Sequence, residues 1–92
     1  MIEIIKKKYT PDKLRKEYPS FTGKLIVLEG NYGFDAGTFY YKNGKQHREE
    51  GPAVEFVSGT KVWLLHGKYI SEEEHKNWQR SRKLEAFLDE DS

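Results

Sequence analysis

The densest run of chemically capable side chains is His47-Arg48-Glu49-Glu50, where an imidazole, a guanidinium and two carboxylates stand together. Successive side chains at a strand end point to opposite faces, so His47 and Glu49 share one face and Arg48 and Glu50 the other. Two readings compete. In the structural one, Arg48 and Glu50 brace the chain before Pro52 while His47 packs on a neighbouring ring; in the functional one, the same groups contact a ligand or partner. Glu72-x-x-His75 has the spacing of carboxylate-bridged metal sites, but those need a second such pair and further glutamates from other helices, and only one pair is present. Helix capping accounts for Glu72 and Glu74, so no metal ligand and no cofactor is assigned. With no cysteine and no serine in an elbow or triad-like setting, nucleophilic catalysis lacks its nucleophile, and His66 beside Gly67 reads as a turn residue with positive φ. Gly30-x-x-Gly33-x-x-x-Gly37 lacks the Gly-Lys-Ser/Thr ending of a phosphate loop. The expectation is a protein that is not an enzyme.

Rings are the other resource. Tyr32, Phe34, Tyr40, Tyr41, Trp63, Tyr69 and Trp78 exceed what one small core needs, and a surplus ring beside Lys or Arg can stack a base or anchor a protein partner. Alternation puts Phe39 and Tyr41 on one strand face and Tyr40 on the other. The candidate contacts for a ligand or partner are therefore Tyr40, His47, Arg48, Glu50 and Trp63.

Charge is distributed unevenly around a net +1: residues 1–19 carry six Lys/Arg against three Asp/Glu, and residues 71–92 four against seven. Oppositely charged ends suit packing of the termini on each other or a head-to-tail contact between copies, so a homo-oligomer is an expectation. The overall balance is not that of a nucleic-acid binder; that alternative would use Lys6, Lys7, Lys8, Lys13, Arg15 and Lys16. Ninety-two residues with 36% hydrophobic and 34% charged side chains fit a single folded domain, 1–92. The absence of cysteine suits a reducing compartment. Met1–Ile5 is too short for a signal peptide, and no stretch approaches the roughly 20 apolar residues of a membrane helix. A cytoplasmic protein without a membrane partner is expected.

The elements that must position these residues lie mainly in 37–70, where Asn43-Gly44, Ser58-Gly59 and His66-Gly67 punctuate short β-forming runs; Asn-Gly is the residue pair a two-residue type I′ turn prefers. Before them, Ile2–Ile5 reads as an edge strand followed by lysines, and Thr10-Pro11-Asp12 as an N-cap, first helical position and dipole-facing carboxylate. Tyr18-Pro19 ends that helix, and Leu14 and Tyr18 form its apolar stripe. Lys24–Glu29 is a continuous apolar run that predicts a strand buried on both faces or at the sheet centre. Gly30–Gly37 reads as a glycine-spaced loop. Ser71 and Glu74 form a capping box that opens a second helix over about 71–88, with Trp78, Leu84, Phe87 and Leu88 as its apolar positions. The expected fold is α+β: a small antiparallel sheet of hairpins with a short N-terminal helix and a C-terminal helix.

The hairpin region also repeats itself. Laying Gly44-Lys45 on Gly67-Lys68 superposes Tyr40 on Trp63, Tyr41 on Leu64 and Glu49-Glu50 on Glu72-Glu73. Units this small must stack to bury a face. The phrase YYKNGKQHREEGPAVEF, followed by GTKVWLLHGK, resembles the MORN-variant repeat of phage, large-virus and some bacterial proteins, across residues 39–68. Two departures stand out: Glu50 replaces the usual Asp, and the second unit carries Ile70-Ser71 where the first has the His-Arg phrase. The resemblance implies a chain of MORN-like hairpins without known catalysis. It also implies a phage accessory or counter-defence protein, occupying a host protein or sequestering a small, nucleotide-like ligand. The alternatives are an antitoxin-like or assembly module with one dedicated protein partner, and a weak nucleic-acid-binding module.

Overall fold

Thr10 begins the first helix as its residue type demands, its hydroxyl accepting from the Lys13 backbone N–H at 3.2 Å with Pro11 in the first turn. The computed structural model describes residues 2–30 and 36–90, with side chains of the last helix through Leu84. The chain runs β1 (Ile2–Lys6), α1 (Pro11–Glu17), β2 (Gly23–Val27), β3 (Gly37–Lys42), β4 (Lys45–Gln46), β5 (Val54–Phe56), β6 (Lys61–Leu65), β7 (Lys68–Ile70) and α2 (Glu72–Glu90). The α+β class is as expected, with both helices in place. Most of the loop read at 30–37 lies outside the described residues.

Seven strands form one sheet in the order β1-β2-β3-β5-β6-β7, with β4 also on β3. β5 pairs with Gly37–Phe39 and β4 with Tyr41–Lys42, so the two share one edge of β3. The hairpin strands pair antiparallel as expected, and the sheet becomes mixed at its edge, where β1 runs parallel to β2. The reason is α1: a helix in the connection carries the chain across the sheet face, which is how parallel neighbours are joined. β2, read as buried on both faces or at the sheet centre, lies within the sheet between β1 and β3 but is not buried on both faces. Leu25 and Val27 are buried but Lys24 and Ile26 are half-exposed, so this strand also has one core face.

That face holds the core. Leu14 of α1 is fully buried against it, together with Leu25, Phe39, Tyr41 and Leu64. Tyr18, the other half of the expected stripe, remains 48% exposed. Tyr9 is buried with its hydroxyl unpartnered among the described residues; burial, reinforced by Glu17, pushes its pKa up to about 12.

The repeat is visible in three dimensions. Tyr41 pairs with Gln46 and Lys42 with Lys45; at the matching positions of the second unit Leu64 pairs with Tyr69 and Leu65 with Lys68. Both hairpins close through turns with two positive φ angles, 52° and 80° at Asn43-Gly44 and 53° and 82° at His66-Gly67. Each turn leans on the segment before it by the same two bonds. Gly44 N–H donates to Phe21 O and Gly67 N–H to Gln46 O, at 2.9 and 2.8 Å. Asn43 N–H donates to Thr22 Oγ1 at 2.9 Å, and His66 N–H to His47 Nδ1 at 2.8 Å. Phe21-Thr22 thus does for the first hairpin what Gln46-His47 does for the second.

A Cβ at Gly44 would overlap the Pro19 carbonyl oxygen, whereas at Gly67 the nearest atom is Lys45 Cβ at 3.6 Å. Both glycines have positive φ, which costs an L-residue about 1–2 kcal/mol. In urea melts Gly67→Ala should lose about that much stability and Gly44→Ala distinctly more, because only the latter must also displace the preceding segment. Equal losses would contradict the stacking geometry.

Candidate functional site

His47 is placed by the end of the first hairpin and held by the turn of the second. Only 5% of it is exposed, and its ring lies 4.3 Å from that of His66, tilted by 32°. Because Nδ1 accepts from the His66 backbone N–H, the proton of the neutral ring sits on Nε2, which donates to Glu49 Oε2 at 3.2 Å. Burial holds the His47 pKa below its ordinary value, and the Glu49 carboxylate only partly offsets this. Glu49 is itself held low, chiefly by the bond from His47 and further by Lys42 at 3.7 Å. Both nitrogens of His47 are therefore engaged within the fold, and the ring presents neither a free lone pair nor a free proton.

Arg48 turns to the opposite face. Its guanidinium carbon stands 4.0 Å from the Tyr40 ring centroid, and Nη1 donates to Pro52 O at 3.2 Å and Glu55 Oε1 at 3.0 Å. A planar guanidinium can stack and donate in this way, which an ammonium cannot. Lys24 approaches the same Tyr40 ring at 5.8 Å. The outward ring of β3 is thus capped by cations. Trp63 holds the equivalent place on β6 and is half-buried. Glu50 is exposed and makes no ion pair among the described residues, so Glu55 takes the carboxylate role expected of it in bracing Arg48. Of the five sequence candidates, the structure brings Tyr40 and Arg48 into contact, buries His47 beneath His66, and leaves Glu50 apart.

His75 is not displayed for metal binding. It is 1% exposed and its Nε2–H donates to Arg48 O at 2.8 Å, while Gln79, one turn on, donates to Glu49 O at 2.7 Å. Glu72 pairs with Lys76 at 3.4 Å. No group of three His, Cys, Asp or Glu able to hold a metal occurs among the described residues. Among them, too, no helix is long and apolar enough to cross a membrane.

A groove that the residue types do not announce lies on the core side of the sheet. It has a volume of about 590 Å³ between α1 and the two hairpin turns, and Asp12, Arg15, Lys45 and His66 line it together with Tyr41, Leu64 and Tyr69. Pro11, Gln46 and Tyr69 are shared with an adjoining recess of about 120 Å³ floored by Phe39, Val54, Phe56 and Val62. Tyr69 is 73% exposed, and Phe56 and Val62 are half-buried. The signal in the sequence is indirect: the alternating apolar residues of β5 and β6 require a cover, and the helix on their side has only seven residues.

The His47 pair gives a pH dependence with a definite sign. With a folded-state pKa below the ordinary 6.5, the unfolded chain binds more protons in the window between the two values, so stability falls as pH drops through it. The Glu49 contribution, with its pKa depressed from 4.5, is lost only at more acidic pH. Melting temperature should fall between about pH 7.5 and about pH 5.5, and fall less in His47→Asn, whose side-chain oxygen can accept from the same N–H without titrating. An equal slope in the variant would remove His47 as the cause.

Comparison of the chain with known protein families, curated proteins and solved structures finds no match.

Proposed function

We propose that the protein is a non-enzymatic docking module that binds one protein partner by seating an amphipathic segment of it in the open groove. The observation that carries this is the half-covered sheet face: α1 closes the end around Leu25 and Tyr41, while Phe56, Val62 and Tyr69 keep apolar surface in water. Exposed apolar surface forgoes about 25 cal/mol per Å², which a partner's side chains would recover. Small-molecule sites bury about 70–90% of their ligand, and a groove open along its length favours a segment of chain over a sequestered nucleotide. The engagement of both His47 nitrogens supports a role without acid–base chemistry. The resemblance of the HREEGPA phrase to MORN-variant repeats supports an accessory or counter-defence role in which the partner is a host protein. A cysteine-free composition suits the cytoplasm.

The second reading, a small anionic ligand, is favoured by the presence of Arg15, Lys45, His66 and the Tyr69 ring in the lining of one groove. Selection of a random-peptide display library on the wild-type protein, with counter-selection on Tyr69→Asp, separates the two. Amphipathic peptides with affinities of about 1 µM, weakened at least about tenfold by Tyr69→Asp, are the expected result. A nucleotide that raises the melting temperature of the wild type but not of Lys45→Ala, with no peptide enriched, would replace the docking reading by the second one.

A further inference from the structure

α2 runs well past its described hydrogen bonds to the rest of the fold. Its described polar bonds to the rest of the fold are those of His75 and Gln79, yet its backbone stays helical to Glu90, about 16 Å further at 1.5 Å per residue. Leu84 in that extension is 58% exposed, and Leu84, Phe87 and Leu88 fall at i, i+3 and i+4, the spacing with which helices enter apolar grooves. The same stretch is acidic in sequence, with Glu85, Asp89, Glu90 and Asp91. The groove offers the complement: apolar lining together with Arg15 and Lys45, and no described residue of its own α2. Asp12 pairs with Arg15, and Lys45 has no ion-pair partner among the described residues.

We infer that the groove is occupied by the α2 extension of a second copy of this chain, apolar positions on the floor and carboxylates toward Lys45 and Arg15. This rests on the reading of the groove as a docking site, and it makes self-association the ground state of the free protein. A foreign partner would then have to displace the neighbouring helix. The apolar spacing and the charge of the extension complement the uncovered half-face, which none of the described interactions within one copy covers.

Sedimentation equilibrium on the full chain, with Tyr69→Asp and Leu84→Asp, tests this. Both substitutions fall at exposed positions, and circular dichroism checks that each variant remains folded. The wild type should self-associate, more weakly as salt rises because opposite charges meet. Each variant alone should raise the dissociation constant at least about tenfold. Mixing them should restore a one-to-one complex, because the intact groove of Leu84→Asp can take the intact helix of Tyr69→Asp. A monomeric wild type, or variants that fail to complement each other, overturns the inference. Display peptides that still bind the groove of such a monomer would leave the docking reading standing, whereas loss of both would sink the two together.

Discussion

The N–H groups of the two type I′ turns are the constraint on which the rest of the fold depends. Residues at such turns point backbone donors outward, and a donor that is neither paired nor wet costs free energy comparable to a lost hydrogen bond. Here each turn is laid on the segment before it: Asn43 and Gly44 on Thr22 and Phe21, His66 and Gly67 on His47 and Gln46. The choice of side chain at 47 follows from this. The His66 N–H finds its acceptor in the buried His47 ring, whose Nδ1 accepts at 2.8 Å while the exposed His66 ring lies over it. What reads in the sequence as a catalytic type serves as a joint between hairpins.

Much of this is legible because the relevant rules are local. Thr10, Pro11 and Tyr18 set the bounds of α1, Asn43-Gly44 and His66-Gly67 set two hairpins, and Ser71 accepts from Glu74 N–H at 3.0 Å to open α2. The superposition of Gly44-Lys45 on Gly67-Lys68 predicts matching registers, and the registers match. Parallel pairing of β1 is not legible, since nothing in Ile2–Lys6 distinguishes a strand's direction; only the crossover through α1 fixes it. The run Lys24–Glu29 marks a strand inside the sheet but not one buried on both faces, because a run of apolar residues does not record which of its faces receives a cover.

The site is less legible than the fold. Alternation correctly separates His47 from Arg48 and Tyr40 from Tyr41, yet it cannot choose partners across the sheet, so Glu50 suggests itself beside Arg48 while Glu55, seven residues away, does not. The burial of His75 is hidden for the same reason, since its acceptor lies 27 residues earlier in the chain. The groove is hidden differently: it is formed by what α1 is too short to cover, and a shortfall in area belongs to no single residue.

The end of the repeat explains why the two units differ. In the first, Arg48 stacks on Tyr40 and ties the chain back to Pro52, which lets it re-enter the sheet as β5. The counterpart of Arg48 in the second unit is Ser71, which cannot reach across Trp63 as a guanidinium can, and the chain instead starts a helix. That helix still serves the preceding unit, for His75 and Gln79, one turn apart on one face, satisfy the carbonyls of Arg48 and Glu49. The backbone of the His-Arg-Glu phrase is therefore held by the helix that replaces the phrase's own second copy. Terminating the stack in this way leaves β7 with a partner on one side only and Tyr69 in the open. The exposed half-face is a consequence of how the repeat stops, so any interaction made there acts at the end of the hairpin stack and not at its brace.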